Sequence, residues 1–227
     1  MPAFDRYGNT YTDEIERAVG PIGDPELFTE VKAQVLLDLA RSLLGPPSEL
    51  SFLDVGCGQG LTDAFLTERV GSMTGVDVSP PMVARAREAN PAARYEVYDG
   101  KRLPFGDGSF GLAFAICVLH HIDPSARPAF AAELARVTRP GGLVVVIEHN
   151  PVNPLTRLVV SRCEFDKGVK LLGVRETKRL LAGVAAPPVE SRYILFFPWH
   201  AEVCRRAERS LAFLPLGAQY VVAGRRG

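Results

Sequence analysis

"FLDVGCGQG", Phe52 to Gly60, decides how the rest of this chain is read. An apolar run leads into an acid, and glycine then recurs at positions 56, 58 and 60. Glycine adopts backbone conformations closed to other residues and removes the Cβ that would hold a ligand away from the main chain. An apolar strand that ends in such a turn is where open α/β sheets bind ligands. That ligand must also tolerate Asp54, two residues before the first glycine.

Two ligands compete for the turn. The dinucleotide fingerprint is G-x-G-x-x-G, with the pyrophosphate on a helix N-terminus. Here the third glycine arrives one residue early, and Leu61 after Gly60 prevents repair by a shift of register. Asp54 would also repel a diphosphate, whereas a cationic ligand reverses the sign. Spacing and charge both favour the cation.

Outward from this turn, apolar runs alternate with helical stretches. "SFLDV", "SMTGVDV", "ARYEVYD", "SFGLAFAICVL" and "LVVVIEH" read as five strands. "GLTDAFLTERV", "SPPMVARAREAN" and "DPSARPAFAAELARVTRPGG" read as the helices between them, the second with Ser79 as cap and the third closed by Pro140-Gly141-Gly142. Upstream, a helix over 24–45 begins with Asp24 as cap and Pro25 in the first turn, and stops at Gly45. Downstream, "HNPVNP" has an irregular start; "VRETKRLLAGV" and "HAEVCRRAERSLAFL" then read as helices, "SRYILFF" and "AQYVVAG" as strands. The pattern predicts an α/β fold, a Rossmann-like doubly wound sheet covered on both faces. The 227 residues form one domain, in which 1–24, 149–173 and 197–215 are additions.

Composition narrows the function. With 26 basic and 26 acidic residues the formal net charge is +0, so no basic field points to nucleic acid. Arg205, Arg206 and Arg209 alternate with apolar residues as a solvated helix face does. Cys57, Cys117, Cys163 and Cys204 form no C-x-x-C pair, which suggests neither zinc nor a disulfide framework and fits a reducing cytoplasm. No window approaches the length of a membrane span, and the opening residues contain no apolar leader.

These residues carry a resemblance. "FLDVGCGQG", "TGVDVSPPM", "YEVYDGKRLPFGDGSFGLAFAICVLHHI" and "LARVTRPGGLVVVIEHNP" fit, in order, the motifs of class I S-adenosylmethionine-dependent methyltransferases of the small-molecule, type 11-like kind. "FDRYGNTYTDEI" resembles their N-terminal lid. One departure is Gly111 in "SFGLAF", where an Asp usually follows the Phe; that change bears on packing more than on chemistry. The resemblance implies a seven-stranded, mainly parallel sheet whose last strand is antiparallel, a lid in 1–24 and substrate-cap additions at 149–173 and 197–215.

It also implies a site. Asp54 and the backbone of Gly56, Cys57, Gly58 and Gly60 would face the methionine portion of the cofactor. Asp77 would take the ribose hydroxyls, with Val78 beside it. Met82 would pack on the adenine or simply in the core. Asp99 would accept from the adenine amino group, next to Gly100, and Cys117 would offer its carbonyl. The product would be S-adenosylhomocysteine.

A sulfonium is a strong leaving group, so the enzyme must align the acceptor, exclude water and remove a proton if the acceptor is a hydroxyl. His149 and His121, at the ends of the fifth and fourth strands, are the candidate bases. The alternative for "HH" is that one of the two packs against the loop and caps the following helix region, and Glu148 holds the strand turn or orients His149. Tyr7, Tyr11, His120, Asn150, Asn153, Arg157 and Tyr193 are candidates for the acceptor pocket. Tyr193, Phe196, Phe197 and Trp199 form an aromatic group read as pocket wall, self-association surface or core.

The expected activity is methyl transfer to a small-molecule acceptor, first a hydroxyl of a natural product or sugar-containing metabolite, with a small amine second. A dinucleotide-dependent oxidoreductase and a non-catalytic cofactor-binding protein remain as alternatives. No metal, no nucleic acid and a cytoplasmic monomer or homodimer complete the expectation.

Overall fold

A computed structural model describes residues 11–20, 23–199, 207–208 and 210–227. Tyr7, His200, Cys204 and most of the helix expected at 200–214 lie outside them. The sheet orders its seven strands β3-β2-β1-β4-β5-β7-β6. These are β1 (Ser51–Val55), β2 (Ser72–Asp77), β3 (Arg94–Val97), β4 (Phe110–Ile116), β5 (Thr138–His149), β6 (Pro188–Ile194) and β7 (Gln219–Arg225). β1 to β5 pair in parallel, and β7 runs antiparallel between β5 and β6. Strand order reverses between β1 and β4, so the switch point lies where Val55 and Ile116 end their strands.

Alternate residues of the central strands enter opposite cores. Phe52, Leu112, Phe114, Val145 and Ile147 pack with Leu36, Leu39 and Ala40 of α2 (Pro25–Leu43). Leu53, Val55, Ala113, Ala115, Val144 and Val146 pack with Leu134 and Ala135 of α4 (Arg127–Val137) and Leu181 of α6 (Val174–Ala182). Strands buried on both sides lose the polar alternation of a half-exposed sheet, which is why their sequence is nearly continuous in apolar residues. Truncating one of these fully buried aromatics, such as Phe114, should cost about 3–5 kcal/mol.

Local chemistry sets the element ends. Asp24 accepts from the Glu26 amide, Pro25 opens α2, and Gly45 leaves it at φ +118°. Ser79 precedes α3 (Pro80–Ala89), yet its side chain does not cap it; Asp77 Oδ1 takes the Ser79 amide instead, at 2.9 Å.

Two expectations are corrected. Residues 60–70 form turns and a 3-10 segment, Asp63–Phe65, rather than a regular helix. There the Thr67 hydroxyl bonds the Asp63 carbonyl, and several amides reach back only three residues. α4 ends at Val137, and the Arg-Pro-Gly-Gly run already belongs to β5, with a register shift between Phe110 and Leu112 of β4. Gly111 stands at that shift, its amide bonded to Ser51 Oγ, and a Cβ on the facing Gly142 would meet the Gly111 carbonyl at 2.6 Å. The segment after β5 holds a regular helix, α5 (Pro154–Arg162), because Asn153 Oδ1 caps both the Leu155 and Thr156 amides. α1 (Tyr11–Val19) packs on α5. Among the described residues no helix is long and apolar enough to cross a membrane.

Candidate active site

The glycine turn leaves β1 with Gly56, Gly58 and Gly60 at φ +84°, +53° and +71°, conformations that favour glycine. Their surroundings differ. A Cβ on Gly56 would meet Val118 at 2.5 Å, and one on Gly60 would meet Asn90 Nδ2 and Tyr95 Oη at 2.7 Å. A Cβ on Gly58 would meet nothing within 4 Å. The outer two glycines answer to packing, and the middle one presents bare backbone to open space. Cys57 turns inward against Val83, Ala86 and Tyr95, and burial pushes its thiol pKa up.

Beneath this turn lie two buried acids. Asp54 and Asp63 are 4% and 0% exposed, and their carboxyls lie within hydrogen-bonding reach of one another. Asp63 Oδ2 accepts from the Tyr95 hydroxyl at 2.9 Å, while Oδ1 of each acid is buried without a partner. Burial first, and then the Asp63 charge, raise the Asp54 pKa well above the carboxylate range; burial pushes Asp63 up to about 7. The Asp77 charge raises Asp54 further. A buried acid pair at the end of β1, before a turn whose Gly58 faces open space, fits a cationic amino-acid moiety such as the methionine end of S-adenosylmethionine. A diphosphate there would meet three acids.

Asp77 ends β2 and accepts from the Gly58 amide through Oδ2, at 2.9 Å, and from the Ser79 amide through Oδ1. It ties the glycine turn to the start of α3. Gly100 packs close to Val78, where a Cβ would stand 3.1 Å from that side chain. Met82 is 1% exposed. Asp99 is exposed; the Arg102 and Lys101 amides donate to its Oδ1, and these bonds lower its pKa. Cys117 leaves β4 at φ +56°, a strained setting for a residue with a side chain, with its amide bonded to the Ile147 carbonyl. Burial raises its thiol pKa, so the sulfur stays protonated.

Across the strand ends stands a histidine group. His120, on the 3-10 turn Leu119–His121, sets Nδ1 2.7 Å from Glu148 Oε2 and Nε2 3.3 Å from Asp166 Oδ1. Burial opposes its charge, yet Glu148 and Asp166 together carry its pKa up to about 9. With both ring nitrogens held and the side chain 1% exposed, His120 has no edge left for an acceptor. The expectation that one member of "HH" is structural falls on this residue.

His121 Nε2 lies 3.2 Å from the same Asp166 oxygen. Burial works against the Asp166 carboxylate, but hydrogen bonds from His120 and His121 hold it well below the usual range. His149 packs 5.1 Å from the His120 ring, and burial, then the His120 charge, press its pKa down to about 4. The Gln219 amide stands 3.4 Å from His149 Nδ1. Glu148 also accepts from the Leu119 and His149 amides, so it braces this turn as well as His120.

The cap residues divide. Asn150 donates to the Pro215 and Gly217 carbonyls and accepts from the Val152 amide, and Asn153 caps α5 and donates to Leu216, so both shape the cap itself. Arg157 lines a cleft of about 590 Å³ together with Val160, Asp166, Lys167 and Lys170. Tyr193, on the edge strand β6, packs against the core and the Tyr220 ring. Tyr11 stacks on Phe165 of the cap, centroids 5.1 Å apart, and its hydroxyl feels the charges of both Asp166 and Asp77.

Sequence reasoning missed Asp63, Asp166, Gln219 and Lys32. Lys32 of α2 acts electrostatically on Asp54, Cys117 and His149. Asp63 did leave a signal, since it takes an apolar-face position ahead of Leu66 and Val70. The other three leave none, because their partners are far away in the chain. Among the described residues Cys57, Cys117 and Cys163 are free thiols.

Residues 53–146 match the family described as a methyltransferase domain. The 2-methyl-6-phytyl-1,4-hydroquinone methyltransferase of Synechocystis is 36% identical over 141 residues, 58% of this chain and 44% of that protein. The malonyl-[acyl-carrier protein] O-methyltransferase of Serratia marcescens is 34% identical over 120 residues, 51% of this chain and 46% of that protein. The chain thus spans less than half the length of these curated relatives. A SAM-dependent methyltransferase of Thermotoga maritima shares the fold at TM-score 0.67 and 20% identity, over 99% of this chain and 98% of its own.

Proposed function

From a chain that carries a class I S-adenosylmethionine-dependent methyltransferase domain, we propose that it transfers the methyl group of this cofactor to a hydroxyl of a small-molecule acceptor, a natural product or sugar-containing metabolite. One observation carries the choice of oxygen. His149 ends β5 on the cofactor side of the sheet and is neutral at pH 7, because burial and the charged His120 beside it disfavour a second cation.

The donor supplies an electrophilic methyl on a sulfonium. In this reading the chain's own residues do the rest. Asp54 receives the ammonium, Gly58 lets the ligand approach, and Asp77 receives the ribose. Tyr11 closes over the gap between the Asp77 side and the Asp166 side. The acceptor oxygen attacks in line, and its proton grows strongly acidic as the new bond to carbon forms. A base held near 4 is sufficient at that moment, provided it is unprotonated beforehand. Gln219 completes the arrangement: its Oε1 is buried without a partner, and half a turn of the amide lets it accept a hydrogen bond from His149 Nδ1–H, leaving the Nε2 lone pair for the acceptor. The cations Arg157 and Lys170 of the neighbouring cleft suit an acceptor that also bears an acidic group.

The test is labelled methyl transfer to a panel of phenols, sugars and amines, with His149→Ala alongside. Methyl ethers should form, and the variant should lose about 100-fold or more in kcat while binding adenosylhomocysteine as the parent does. Transfer to amines alone, or a variant with full activity toward hydroxyls, overturns this reading.

A further inference from the structure

We propose that His120, His121 and Asp166 form a binding site for a first-row divalent metal ion of the zinc, cobalt(II) or iron(II) kind. Such a site departs from the metal-free expectation drawn from sequence, and it does not depend on methyl transfer.

Asp166 Oδ1 stands 3.3 Å from His120 Nε2 and 3.2 Å from His121 Nε2, and all three atoms lie within 4.8 Å of one another. Donors bonded at about 2.0–2.1 Å to a tetrahedral ion are themselves roughly 3.3 Å apart. Two of the three separations, those to Asp166 Oδ1, therefore already stand at the spacing of a shared coordination sphere, and the third pair lies within 4.8 Å. The two imidazole rings are packed with centroids 4.1 Å apart and aim nitrogens at one carboxylate oxygen.

A bound ion would take the place of the proton that His120 Nε2 holds against Asp166, leaving a positive charge beside His149, and the surroundings favour it further. A ligating histidine usually gives its other ring nitrogen to a carboxylate, which fixes the ring and raises its donor strength. Glu148 does this for His120 at 2.7 Å, and the Leu119 amide fixes Glu148 in turn, also at 2.7 Å. Two imidazoles and one carboxylate suit borderline transition metals, whereas magnesium and calcium seek all-oxygen shells. Three protein donors leave a position for water or another oxygen. His121 opens the way in, its side chain 17% exposed where those of His120 and Asp166 are 1% and 6%. A metal here would also fasten the cap, which carries Asp166, to the turn after β4.

The test uses the whole chain, stripped with a chelator and titrated with cobalt(II) and then zinc(II). One equivalent of cobalt should bind and show the d–d bands of a nitrogen–oxygen site of low coordination number, and zinc should displace it. His121→Ala removes a partly exposed ligand and should weaken zinc binding at least about 100-fold, as should Asp166→Asn; Glu148→Gln should weaken it about 10–100-fold. Thermal melting of each variant shows that it is folded. Absence of cobalt bands, or zinc affinity unchanged in His121→Ala and Asp166→Asn, overturns the site. Adenosylhomocysteine binding, measured on the same samples, reports separately on the methyltransferase reading.

Discussion

The two halves of the site manage buried charge in opposite ways. On the β1–β2 side Asp54 and Asp63 face each other with an unpartnered oxygen apiece, and Asp77 adds to the repulsion. On the β4–β5 side Glu148 and Asp166 are just as buried, yet each closes on His120. Burying a carboxylate is tolerable only when something compensates it. The histidine half contains its compensation. The acidic half has only the Tyr95 hydroxyl, the Lys32 charge and the proton that the pair retains, and a cation can take that proton's place, so it reads as a receptor and the other half as apparatus.

The strongest way to break this contrast is Asp77→Ala. The carboxylate holds the Gly58 and Ser79 amides and is also the proposed ribose acceptor, so the change removes a ligand contact and the brace of the turn together. Hydrogen bonds to a charged group contribute about 1.5–3 kcal/mol each. Adenosylhomocysteine affinity should fall at least about 100-fold by calorimetry, while a metal at the histidine side should bind as before. Unchanged affinity would take Asp77 out of the receptor.

The same contrast governs what could be read without coordinates. The receptor half is local. Asp54, the glycines and Asp77 sit at strand ends that apolar runs and turn residues announce, so the sheet, its switch point and most of these positions were legible. Even there the individual glycines were not separable, since only packing shows that Gly60 makes room for Asn90 and Tyr95 while Gly58 faces open space. The apparatus half is assembled over long separations. Asp166 meets His120 46 residues away, and Gln219 meets His149 70 residues away. The histidines themselves were visible, but their division of labour was not. His120 is charged because Glu148 and Asp166 both bond its ring, and His149 is neutral because burial and that charge outweigh the same two carboxylates. The bounds of the helix after β5 were hidden for a similar reason, Asn-Pro reading as a turn until Asn153 is seen capping the Leu155 and Thr156 amides.

A second test sharpens the claim that the receptor awaits a cation. The acidic pair retains a proton, with Asp63 losing its own near 7, and an ammonium is received better by the ionised pair. Affinity for adenosylhomocysteine should therefore fall about tenfold from pH 7.5 to pH 5.5, as the pair takes up the proton that competes with the ligand. A flat profile, or tighter binding in acid, would mean that the ammonium sits elsewhere.

The smallest expected effect isolates the pair from any ligand. In Asp63→Asn the amide oxygen can still accept from the Tyr95 hydroxyl, and the amide nitrogen offers Asp54 Oδ1 the donor it lacks. Linkage sets the sign. A carboxyl raised from 3.8 to about 7 binds, in the folded chain, a proton that the unfolded chain has already released. Its penalty is fully present above pH 7 and is relieved as pH falls from about 7 toward 3.8. Removing that acid should stabilise the ligand-free chain by about 1 kcal/mol at pH 8. The gain should shrink toward pH 4, where the parent pair is protonated anyway. Urea melts of parent and variant at both pH values give the comparison. A variant less stable than the parent at pH 8 would show that the two acids are already compensated, and the contrast between the halves would be lost.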